Sequence, residues 1–185
     1  DWSSDVCSSD LVRVRKTLAK NYADTYWNTT NPPYYLAVSG NDCANFVSQA
    51  MYAGEGKTPP NTNGMTTSPT RSPDNDWYYV WNNSGSAPWV GIPQQYDFIV
   101  SNIDDIGPYG SSTTTACNAR VGDVVQLNNG STWFHEGIIV SVASPCVGLQ
   151  SITVDAHTTN RYHYTLSNWS AYGMRFIKIN GWRGN

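Results

Sequence analysis

Between residues 15 and 27 the apolar side chains Leu18, Ala19, Tyr22, Ala23, Tyr26 and Trp27 recur at intervals of three and four. That period predicts a helix, stopped by the following NTTNPPYY. The same spacing returns at Cys43, Phe46, Val47, Ala50 and Met51, which lay one stripe along a second helix. Asn41 and Asp42 are good N-cap residues, so this helix is expected to begin just before the cysteine and to stop at Gly54. Residues 56–76 hold four prolines and almost no apolar side chain, which predicts a long loop or a flap over a cleft. WYYVWNNSGSAPWV then gives a short aromatic segment, and IPQQYDFIVSNID a further helix. Beyond residue 117 the pattern changes. GDVVQL (122–127), HEGIIVSV (135–142), SITVDAH (151–157) and MRFIKI (174–179) are rich in β-branched residues and bounded by turn residues, as strands are. NNGST between the first two is a hairpin signal. Helices first and an antiparallel sheet after them is an α+β order.

A chain of 185 residues with 39% hydrophobic composition suits one domain, expected over residues 12–185. The first eleven residues, DWSSDVCSSDL, differ from the rest: they are rich in Ser and Asp and follow no period. The string resembles translated read-through of a sequencing adapter, which would make it non-native and any export signal lost. An ordinary terminal tail is the alternative. On either reading Cys7 takes no part in function. Charged residues make up 14% of the chain, the net charge is −3, and no basic run occurs, so binding to nucleic acid or an anionic membrane is not expected. No apolar stretch approaches the ~20 residues of a membrane-spanning helix. The 8 Trp and 12 Tyr suit either the walls of a sugar or peptide cleft or rim packing in a small secreted fold.

The cysteines change the picture. Midway between Cys117 and Cys146 lies the hairpin turn, so the two residues fall opposite each other and a disulfide between them is expected. Such a bond implies an oxidising, extracytoplasmic setting. Three reduced thiols would fit a cytoplasmic protein instead. With Cys7 aside, the unpaired cysteine is Cys43.

A thiol in the first turn of a helix sits near the positive end of the helix dipole, which favours the thiolate. It could equally be a small buried apolar residue. A nucleophilic cysteine needs an imidazole to take its proton, and the imidazole needs a third group to orient it. His135 opens one predicted strand and His157 ends the next. Thr153, Asp155 and His157 share one face, so Asp155 or His157 could be that third group. His163 falls outside the predicted strands and is expected at the surface. Each histidine could also be an ordinary hydrogen-bonded residue at a strand end. A zinc site of Cys43, His135 and His157 can be drawn, but neither C-x-x-C nor H-E-x-x-H occurs, so no metal and no cofactor is expected.

DC followed by NFVSQAMYAGEG, then WYY and SGSAPW, GDVVQL and WFHEGIIV, and VDAHTTN resembles the putative amidase domain family of bacteria. That family resembles the papain-like cell-wall cysteine hydrolases of the NlpC type. The resemblance covers residues 22–166. It implies a papain-like α+β fold, with the nucleophile helix packed on an antiparallel sheet. It implies Cys43 as nucleophile, His135 as general acid and base, and His157 as the residue orienting His135. The Cys43 backbone N–H would meet the oxyanion, with Tyr34 or Tyr35 as a candidate second donor. The implied activity is a secreted or wall-associated cysteine amidase or peptidase, monomeric, cleaving an amide in the peptide part of peptidoglycan through a Cys43 acyl-enzyme. Asp42, Tyr35, Trp77, Trp81, Trp89 and Trp133 are the candidates around the substrate. Glu136, where a small or apolar residue is commoner, and the long 56–76 segment depart from the family pattern. Two other functions fit the same residues: a non-catalytic module binding wall glycopeptide, and a thiol acyltransferase.

Overall fold

The computed structural model describes residues 16–31, 42–57, 72–80 and 84–183. The tail 1–11, Tyr34, Tyr35, Trp81 and most of the 56–76 segment lie outside the described residues. Helix α1 covers residues 16–26, close to its expected bounds. Its buried face is Ala19, Tyr22 and Ala23. Helix α2, Asp42–Gly54, opens one residue before the cysteine as expected. It is buried nearly all round rather than along one stripe. Its polar residues can be buried because they are paired: Tyr22 donates to Gln49 Oε1 at 2.6 Å, and Trp89 Nε1 donates to Asn45 Oδ1 at 2.9 Å. Gly54 is the last helical residue. The left-handed stop lies two residues on at Gly56, with φ 74°, whose N–H donates to the Ala53 carbonyl at 2.8 Å. Two short helices follow, α3 (Ala87–Val90) and α4 (Ile92–Ser101). Among the described residues no helix is long and apolar enough to cross a membrane.

The strands are β1 (Tyr79–Val80) and β2 (Ser84–Gly85), which pair with each other, and six more in one open sheet. These are β3 (Gly107–Thr113), β4 (Val124–Asn128), β5 (Trp133–Val142), β6 (Ile152–Ala156), β7 (Arg161–Thr165) and β8 (Gly173–Arg183). They run antiparallel in the order β3-β8-β4-β5-β6-β7. The fold is therefore α+β, with four α-helices among the described residues and this sheet. Both edge strands escape the sequence pattern. GPYGSST lacks alternating apolar residues, and RYHYT has no buried apolar face to reveal it. His163, expected outside any strand, lies on β7.

Both faces of the sheet are covered. Val124, Ile138 and Ile177 meet Phe46, Val47, Trp77, Trp89 and Ile99 on the helical side. Val125, Leu127, Ile139, Val154 and Phe176 pack on the other side under Leu166 and Trp169, which belong to a single 3-10 turn. Strand alternation sends neighbouring residues to these opposite layers. The β4–β5 hairpin turns at Asn129 and Gly130, and Leu127 pairs with His135. Its two flanks stay close enough for Cys117 and Cys146 to form the expected disulfide, with Cα atoms 5.6 Å apart. Cys43 is the free cysteine among the described residues.

Candidate active site

Cys43 sits in the first turn of α2 and is 2% exposed. It packs with Ala44 and Ile92 against the half-buried indole of Trp133. Its thiol meets β5 at Glu136, and the Glu136 and Ala44 backbone and the Thr158 hydroxyl are its polar neighbours. The helix start was expected to favour the thiolate. Burial outweighs it: desolvation first, and the Glu136 carboxyl second, push the thiol up to about 12. The Cys43 backbone N–H, expected to meet an oxyanion, donates to Thr158 Oγ1 at 3.2 Å. Thr158 has φ 76°, a left-handed conformation that a β-branched residue rarely adopts. Strain of this kind is concentrated at functional sites. Nothing in the sequence pattern marks Thr158 beyond its place directly after His157.

His135 shares a sheet face with its register partner Leu127, whereas Glu136 points to the helical side with Gln126. The imidazole lies edge-on to Trp169, with centroids 5.3 Å apart, and lines a cavity of about 300 Å³ with Thr158, Arg161, Phe134 and Tyr172. Desolvation, and then the Arg161 charge, lower its pKa to about 4, so the ring is neutral near pH 7. Among the described residues neither ring nitrogen has a hydrogen-bond partner, and no hydrogen bond joins His135 to Cys43. Thr158 is the residue common to both. It caps the cysteine and lines the histidine's cavity.

The third group expected for His135 stands elsewhere. His157 Nδ1 lies 2.7 Å from Asp42 Oδ2, and its Nε2 lies 2.7 Å from the Tyr26 carbonyl. Its ring stacks on Phe46 at 4.0 Å. With both nitrogens taken, His157 joins α1, α2 and the end of β6 and has no contact left to orient His135. Asp155, the alternative, accepts from the His163 backbone N–H at 2.6 Å. Asp42, expected near substrate, is held by His157.

Glu136, noticed only as a departure from pattern, is fully buried beside the thiol. Gln126 Nε2 donates to its Oε2 at 2.5 Å, and Arg175 Nε donates to Gln126 Oε1 at 2.8 Å. In the orientation that satisfies both of its ends, the Gln95 amide donates to Glu136 Oε1 at 3.1 Å and accepts from Ser48 Oγ. Burial still dominates and raises the Glu136 carboxyl to about 8, against the lowering effect of Gln126, Arg175 and Gln95. The Arg175 guanidinium lies between the rings of Tyr96 (3.4 Å) and Trp133 (3.9 Å).

Of the expected cleft walls, Trp133 stands at the thiol. Trp77 and Trp89 do not line a cleft: both are 0% exposed in the core, with ring centroids 4.2 Å apart. Tyr35 lies outside the described residues. Cys43, His135 and His157 are not gathered as metal ligands. Among the described residues such a group is formed by Asp24, Asp155 and His163, whose ligand atoms lie within 4.8 Å of one another. Asp24 there is already paired with Lys20 and with His163 Nε2.

Residues 13–179 match a family model described as a putative amidase domain. No curated protein and no solved structure matches the chain.

Proposed function

The chain belongs to the putative amidase domain family, and from that premise we propose that it is a cysteine amidase in which Cys43 is the nucleophile and His135 the general base and acid. One observation carries the reading: Thr158, which accepts from the Cys43 backbone N–H, also lines the cavity that His135 lines, so one residue links the thiol and the imidazole although they stand on opposite faces of β5. Attack by the Cys43 sulfur on an amide carbon passes the thiol proton to His135. The imidazolium then protonates the departing amine, and water resolves the thioester. The neutral imidazole can accept a proton, a transfer that its lowered pKa and the raised thiol pKa both oppose in the free protein. Departure of the Thr158 hydroxyl from the Cys43 N–H frees an oxyanion donor. The papain-like fold, a single domain over residues 12–185 and the peptide part of peptidoglycan as substrate belong to the same reading and rest on the sequence resemblance. The disulfide supports an extracytoplasmic setting.

The high thiol and low imidazole pKa favour a second reading, a glycopeptide-binding module of the same fold. Incubation with soluble peptidoglycan fragments, followed by intact-protein mass spectrometry and assay of new amino groups, separates the two. The amidase releases amine and accumulates an acyl adduct on the Cys43 peptide, and both vanish in Cys43→Ala and His135→Ala. Binding without product, in wild type and variants alike, leaves the module.

A further inference from the structure

The cavity beside His135 contains a cation with no anion. Arg161 opens β7 and is half-buried. Its Cζ lies 4.7 Å from the Tyr164 ring centroid, and its Nη1 donates to the Asn160 carbonyl at 3.3 Å. Its Nε is buried with no partner, and it has no carboxylate partner among the described residues. A buried donor left unsatisfied costs stability and is an exception to be explained. Arg161 lines the same 300 Å³ space as His135, and Tyr172 is the other titratable group lining it. Around the mouth, Phe134 and Tyr172 are each 40% exposed and meet edge to face at 5.0 Å, with Trp169 behind them. A half-buried cation on the wall of a cavity with an aromatic rim matches a small ligand that has a carboxylate at one end and an apolar stem at the other.

We propose that this cavity is a carboxylate-binding subsite in which Arg161 takes a free carboxylate of the ligand and the aromatic rim covers the adjoining stem. With Cys43 and His135 as the reacting pair, a step that rests on the proposed amidase reading, the substrate is an acidic peptide with its carboxylate beside the scissile amide. Occupancy also changes the base. Desolvation first and the Arg161 charge second depress His135, so a bound carboxylate offsets the second of these and makes the imidazole more basic when substrate is in place.

The test is direct binding. The wild-type chain is titrated with N-acetylglycine and with the neutral N-acetylglycinamide at low salt, while the His135 ring and Trp169 indole resonances are followed by NMR. The acid is expected to bind saturably and to raise the His135 titration midpoint, and the amide to bind at least tenfold more weakly. Arg161→Gln should abolish acid binding and raise the His135 midpoint without ligand. Arg161→Lys, which keeps the charge, should retain part of the binding and controls for folding. Equal binding of acid and amide, or acid binding that survives Arg161→Gln, overturns the subsite. The assay needs no turnover: an inert Cys43 leaves the subsite standing, and failure of acid binding leaves the amidase reading intact.

Discussion

The backbone N–H of Cys43 is capped from another part of the chain, by Oγ1 of Thr158 at 3.2 Å, and Thr158 holds φ 76° to reach it. Two opposed energies meet at this residue, a satisfied helix-start donor and a strained backbone. Thr158→Ala keeps the left-handed backbone and removes the acceptor, so it should lower stability by about 1–2 kcal/mol. Thr158→Gly also removes the acceptor but relieves the strain. It should be more stable than the alanine variant by roughly 1 kcal/mol. Urea denaturation of the three proteins checks the order; an alanine variant as stable as the glycine variant would contradict it.

His157 is expected to behave as a structural clamp. It bonds Asp42 and the Tyr26 carbonyl and stacks on Phe46, so His157→Ala removes two hydrogen bonds and a packed ring at once. A loss of roughly 2–4 kcal/mol follows. A residue that only oriented His135 would leave the unfolding midpoint where it was.

The disulfide between Cys117 and Cys146 closes a loop of sequence separation 29. The chain-entropy argument gives such a crosslink about 3–4 kcal/mol. The paired replacement Cys117→Ser and Cys146→Ser should therefore lower the urea midpoint, with the rest of the sheet intact by circular dichroism. An unchanged midpoint would mean the hairpin flanks are already held by their hydrogen bonds.

The parts legible in the sequence were those with a period or a symmetry. Leu18 to Trp27 and Cys43 to Met51 announced their helices through 3.6-residue spacing, and the hairpin placed Cys117 opposite Cys146. Strands β3 and β7 were missed because an edge strand such as RYHYT buries little on either face. The candidate site was legible only as residue types, not as an arrangement. Cys43 and His135 stand out by residue type, but strand alternation turns His135 away from the helical side and puts Glu136 there instead. His157 looked like a third catalytic group because its distant partners, Asp42 and the Tyr26 carbonyl, leave no local signature. Trp77 and Trp89 looked like cleft walls because composition alone cannot distinguish a rim indole from one stacked in the core.

Glu136 should set the pH dependence of stability. Its folded pKa of about 8 lies above its ordinary value of 4.5. Between those values the folded protein holds a proton that the unfolded chain has released, so this group's contribution falls as pH rises from about 4.5 to 8 and is level outside that window. His135, depressed to about 4, acts in the opposite sense below its ordinary value of 6.5, so the difference between Glu136→Gln and wild type isolates the carboxyl. That difference should move in favour of the variant by roughly 3–5 kcal/mol across the window. Parallel stability curves would show that Glu136 titrates normally.

The same carboxyl should restrain the thiol. With burial holding Cys43 near 12 and Glu136 adding repulsion once ionised, iodoacetamide should label Cys43 slowly below pH 8. At pH 9 wild-type Glu136 is largely charged, and Glu136→Gln removes that charge while leaving the burial. The variant should then be labelled several-fold faster, with the two rates converging below about pH 7, where the wild-type carboxyl is protonated. Mass mapping of the Cys43 peptide gives the rates separately from Cys7. A ratio that stays at one from pH 6 to 10 would mean the carboxyl does not act on the thiol, and burial alone would account for its raised pKa.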